Sequence, residues 1–135
     1  MKRVMSIFDF LKFKKIQSSS RISLDWQDKQ MTQQRWDKIL QMLDDGRPSN
    51  FRQAILEADK LMGYVLKKMQ LHGETMGERL KAARSRFSPK IYQGLWDAHK
   101  IRNRLVHEFS SEVLNYEAKE AIEKYKKALE DLGVL

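Results

Sequence analysis

The chain has 135 residues, 41% apolar and 33% charged, with 6 Gly, 2 Pro and no Cys. One domain is expected at that length, and the composition excludes collagen-like, low-complexity and disulfide-scaffold classes along with thiolate metal sites and cysteine nucleophiles. So few turn residues argue against an all-β fold, while a net charge of +8 favours a polyanionic partner, either nucleic acid or an anionic membrane surface.

Residues 1–22 read as a basic amphipathic segment with a linker. Val4, Met5, Ile7, Phe8 and Leu11 crowd one side of a helix. Six basic residues stand against Asp9 alone over residues 1–21, a local +5. Ser18, Ser19 and Ser20 make a flexible connector. Asp9 and Lys12 interrupt the apolar stretch and no small-residue cleavage site follows, so it is a poor signal peptide. No apolar run approaches the roughly 18 residues that cross a bilayer. Three placements are open: packing on the bundle or a second copy, docking on a membrane through residues 1–17, or a disordered arm.

Residues 23–135 predict one helical domain. Met31, Trp36, Ile39, Leu40 and Leu43 share a stripe that stops at Asp44-Asp45-Gly46-Arg47-Pro48. Ser49 or Asn50 caps the next helix, in which Ala54, Ile55, Ala58, Leu61, Met62, Val65 and Met69 repeat at three and four. His72-Gly73 is expected to end it, the glycine supplying a left-handed residue and the histidine favouring the helix dipole. A short helix follows with Met76, Leu80 and Ala83 inward. Ser88-Pro89 starts another as N-cap and first-turn proline, carrying Ile91, Leu95, Ala98, Ile101 or Arg102, and Leu105. Asn115 caps the last, with Ala118, Ala121, Ile122, Tyr125, Ala128 and Leu129 inward before Gly133. The expected fold class is all-α, a four- to five-helix bundle preceded by a short amphipathic helix.

Catalytic signatures are scarce. There is no Gly-rich phosphate loop, HExxH, EF-hand spacing or nucleophile elbow. A metal site from Asp97, His99 and His107 is disfavoured, since Asp97 falls away from the row that holds the two histidines. Asn103 lies four residues from each of them, on the same helix face. What remains is Arg102-Asn103-Arg104-Leu105-Val106-His107, an R-x4-H spacing whose ends fall about 140° apart around the helix axis. By itself that pattern also describes an arginine-rich solvated face with a histidine near a helix C-terminus.

The longer run Asp97-Ala98-His99-Lys100-Ile101-Arg102-Asn103-Arg104-Leu105-Val106-His107-Glu108 resembles the motif helix of the HEPN superfamily, of the small stand-alone bacterial kind. The resemblance extends over about residues 36–135. It takes in the Ala54–Leu61 helix, the Gly73-x-Thr75-Met76 turn and the closing Tyr- and Leu-rich helix. It implies a bundle that dimerises through the motif helix and, in active members, metal-independent RNA cleavage without a cofactor, with Arg102, Asn103 and His107 as site residues. Such chemistry needs a base for the 2′-OH, an acid for the leaving 5′-oxygen and a cation for the phosphorane. A two-fold dimer supplies a second His107 and two Arg102 forks. Asn103 would orient His107 or bond the phosphate. Members paired with a nucleotidyltransferase antitoxin often carry a modifiable Tyr two residues after the His, and here that position is Phe109.

The expected function is therefore a HEPN-type endoribonuclease or RNA-binding homodimer, in a toxin–antitoxin or defence setting with an antitoxin or regulatory protein as a further partner. The alternative is a non-catalytic adaptor dimer held at a membrane or larger complex by its N-terminal helix. A chain without Cys suits the cytoplasm, with residues 1–17 allowing peripheral membrane contact.

Overall fold

The computed structural model describes residues 24–108 and 112–135, so the amphipathic helix expected in residues 1–22 and Phe109 lie outside the described residues. The described chain is all-α, with five α-helices, one short 3-10 turn and no strand. In chain order these are α1 (Trp26–Asp44), α2 (Pro48–Lys68), α3 (Met76–Ala82), the 3-10 turn Arg84–Arg86, α4 (Pro89–His107) and α5 (Asn115–Asp131).

α2 is the central element and packs against all four other α-helices, while α4 and α5 also pack extensively on each other. The sequence explains why. Ala54, Ile55, Ala58, Leu61, Met62, Val65 and Leu66 are all fully buried, an apolar surface too broad for one neighbour to cover. Burying each of its larger aliphatic side chains contributes about 1.5–3 kcal/mol. From the flanking helices Trp36, Ile39, Leu80, Leu95, Leu105, Ile122 and Leu129 complete the core. Leu40 departs from the expected stripe: it is exposed on α1.

The helix ends follow local chemistry, with some differences from the sequence reading. α1 ends at Asp44, and Gly46 takes the positive φ of +80° that reverses the chain. α2 starts earlier than Ser49 or Asn50 would have set it. Pro48 occupies the first turn, where its missing N–H costs nothing, and Arg47 is the N-cap. Asn50 instead donates to the Asp45 carboxylate, which Arg47 also engages at 2.7 Å. At the other end α2 stops at Lys68, and the left-handed residue is Gln70, φ 62°, rather than Gly73. His72 is an exposed loop residue beyond that cap.

Gly73 has a different reason to be glycine. A Cβ there would meet Glu78 Cβ at 2.6 Å and the Arg79 backbone N at 2.7 Å, because the loop runs against the start of α3. Two bonds fix that start: Glu78 N donates to the Thr75 hydroxyl, and Glu74 N donates to the Glu78 carboxylate. The Ser88 cap and Pro89 start of α4 are as read from the sequence. α5 is capped by Leu114 without a side-chain bond, and Asn115 is its first helical residue.

Candidate functional site

The residues with chemistry converge where α2, α4 and α5 meet. Asp59, on α2, lies among Ile55, Met62 and Leu66, each one or two turns away and fully buried, and is itself only 4% exposed. A carboxylate so placed needs partners. Two helices supply them. Tyr125 of α5 donates its hydroxyl to Asp59 Oδ1 at 2.7 Å, and His99 Nδ1 of α4 lies 2.9 Å from the same oxygen. Arg102 Nε stands 3.5 Å from Asp59 Oδ2.

The network continues along α4. Asn103 Nδ2 lies 3.3 Å from His99 Nε2, and Arg102 Nη1 donates to Asn103 Oδ1 at 3.0 Å. These bonds are mutually consistent for a neutral His99. Its Nδ1–H donates to Asp59, its Nε2 lone pair accepts from the Asn103 amide, and the amide oxygen is left for Arg102. Trp96 packs edge-on against the His99 ring, centroids 5.8 Å apart. Burial, helped by the negative charge of Asp59 and the bond to it, raises the Tyr125 hydroxyl well above the ordinary phenol range.

Arg102 forms the boundary between this interior and solvent. Its side chain is 35% exposed. It lines an open cleft of about 640 Å³ walled by α2, α3 and α4, together with Lys60, Gly63, Lys67, Arg79 and Val106. Contacts at two of its nitrogens, Nε and Nη1, hold the guanidinium while Nη2 stays available to an anion.

The three residues singled out by the R-x4-H pattern are thus divided. Arg102 and Asn103 are bonded to each other and to the buried carboxylate system. His107 is exposed in the last turn of α4, outside the cleft wall, and Asn103 turns toward His99 instead of toward it. Asp97 accepts from Gln93 and His99 faces Asp59, so Asp97, His99 and His107 do not gather. Among the described residues no group of three or more His, Asp or Glu is arranged to hold a metal ion.

Sequence reasoning missed Asp59, His99 and Tyr125 as members of one site. A signal was present for Asp59: a carboxylate on the apolar stripe of a helix is out of place unless something pairs it. In the last turn of α4, Arg104 forms a bidentate pair with Glu117 of α5, at 2.9 and 2.8 Å. The Arg104 bonds hold Glu117 below the usual carboxylate range, with burial acting in the opposite sense. None of the described helices is long and apolar enough to cross a membrane. No protein-family model, curated protein or solved structure matches the chain.

Proposed function

We propose that this protein is a HEPN-type endoribonuclease that works as a C2 homodimer without a metal ion. The observation that supports it most directly is the anchoring of Arg102, held by Asp59 and Asn103 yet facing an open cleft. A guanidinium held at two of its nitrogens is pre-organised for a phosphate and loses little side-chain entropy on binding it. Val106 is 46% exposed beside His107, so this end of α4 offers both an apolar contact and a solvent-open imidazole.

In the dimer the two α4 helices lie across the two-fold axis, and an isologous contact places both His107 and both Arg102 in one groove. One His107 accepts the proton of the substrate's 2′-OH as that oxygen attacks phosphorus. The partner's His107 protonates the departing 5′-oxygen. Imidazole suits both steps because its ring nitrogens can both accept and donate a proton. The Arg102 guanidiniums neutralise the dianionic phosphorane. The P–O5′ bond breaks as the P–O2′ bond forms, leaving a 2′,3′-cyclic phosphate and a 5′-OH.

The test is cleavage of single-stranded RNA by the purified protein in EDTA. The expected result is cyclic-phosphate ends, no cleavage of DNA, and loss of turnover with retained RNA binding in His107→Ala. Arg102→Ala should weaken both. EDTA-sensitive cleavage, full activity in His107→Ala, or a monomer in light scattering would overturn the mechanism. A well-folded dimer with no nuclease activity would leave the adaptor reading in its place.

A further inference from the structure

The cleft beside Arg102 carries more positive charge than one phosphate requires. Lys60 and Lys67 lie seven residues apart on α2, about 10 Å along its axis and on nearly the same face. Arg79 reaches the cleft from α3. None of the three forms an ion pair among the described residues, unlike Arg102, Arg104 and Lys68. Gly63 makes room between the lysines. A methyl group at that position would meet Met76 Sδ at 3.3 Å and Arg79 Nη1 at 3.5 Å, so the guanidinium rests against nearly bare helix backbone. A second, more open depression, lined also by His72, Glu74 and Glu78, shares Lys67 and Arg79 with the first. The two depressions meet at Lys67 and Arg79, between Arg102 and the loop before α3.

We infer that this α2–α3 wall is a track for the backbone of a single-stranded RNA, in which Lys60, Lys67 and Arg79 take phosphates flanking the one held at Arg102. The inference rests on the RNA-directed reading above and assigns it a substrate class, a strand longer than the reacting dinucleotide. Three cations along a channel suit a chain of evenly spaced charges better than a single small anion. A groove of this kind follows the backbone and supplies affinity without base preference. Glu57 and Asp59 line the same cleft, Asp59 paired with Arg102, and Glu74 and Glu78 line the depression beyond it, so the positive excess is confined to the Lys60, Lys67 and Arg79 side chains.

The experiment compares the full-length protein with Lys67→Ala/Arg79→Ala and with a control, Lys119→Ala/Lys127→Ala, which removes the same charge from α5. Binding of a labelled oligouridylate is measured against salt concentration, and cleavage is measured on that strand and on a dinucleotide. The expected result is a salt slope shallower by about 0.7 per cation removed, ~1.4 in all, in the cleft variant alone. Its KM for the long strand should rise, with kcat and dinucleotide cleavage unchanged. An unchanged slope with intact cleavage would overturn the track and leave the nuclease reading standing. The shallower slope in a wild-type background that cleaves nothing would support the track and end the nuclease reading. Equal losses in the control, or loss of phosphatidylserine-vesicle binding in place of RNA binding, would overturn the track.

Discussion

His99 Nδ1 lies 2.9 Å from Asp59 Oδ1, both side chains about 95% shielded from solvent, across forty residues of chain. That oxygen also receives the Tyr125 hydroxyl, so one buried carboxylate ties three helices together.

Breaking this junction should therefore be costly in a graded way. Tyr125→Phe removes one donor and leaves Asp59 with the other, for an expected loss of roughly 1–3 kcal/mol. Asp59→Ala strands both the hydroxyl and the imidazole N–H in the interior, for roughly 3–5 kcal/mol. The double variant should lose less than the sum of the two, because the second change removes a partner already gone. Urea unfolding of the set measures this. Strict additivity would show that the two groups are not coupled.

The same residue should shape the alkaline limb of stability. Tyr125 is held neutral by burial and by Asp59, with a folded pKa well above 10.0. The unfolded chain therefore releases this proton first as pH rises. The contribution of the hydroxyl is whole below about pH 10 and is lost progressively above it. Tyr125→Phe should be less stable at neutral pH yet lose stability less steeply on the alkaline side.

Glu117 should act on the acid limb with the opposite sign. Its folded pKa is lowered, chiefly by the Arg104 bonds. Stability from the pair is present above the ordinary carboxylate value of about 4.3 and lost as pH falls through the folded value. Both side chains retain some exposure, 33% for Arg104 and 22% for Glu117. The effect should therefore stay near 1 kcal/mol. Glu117→Gln should remove that acid-side slope in thermal melts between neutral pH and pH ~3.

Two glycines should respond differently to the same changes. Gly46 has open space around its Cβ position and a positive φ, so its demand is conformational. Alanine there should cost about 1–2 kcal/mol and asparagine less, since asparagine tolerates the left-handed region. Gly73 lies against backbone, so alanine and asparagine should both cost about 1–3 kcal/mol or displace α3. Equal tolerance of asparagine at both sites would contradict this assignment.

The bundle was legible because the apolar residues repeat at three and four within segments bounded by strong signals. Gly46, the Ser88-Pro89 pair and Gly133 mark ends that the structure keeps. Gly73 and Asn50 misled, because glycine also serves close approach and asparagine also serves side-chain pairing. The site was only half visible. Arg102 and Asn103 are adjacent in sequence and bond as neighbours on one helix surface, whereas Asp59 and Tyr125 reach them only through the packing of α2 and α5. Tyr125 was legible as a core residue, but periodicity places a ring and says nothing of where its hydroxyl finds a partner.

The shared Asp59 oxygen also has a meaning for inheritance. A change at position 59 strands a polar group on each of two other helices, and a change at 99 or 125 takes one donor from the shared carboxylate, so no single substitution leaves the trio at no cost. Among the described residues Lys60, Lys67 and Arg79 form no ion pair, and each can be exchanged without breaking a bond of this kind. Descendants of this sequence should thus drift freely in the charges along the cleft while remaining locked in how they hold Arg102.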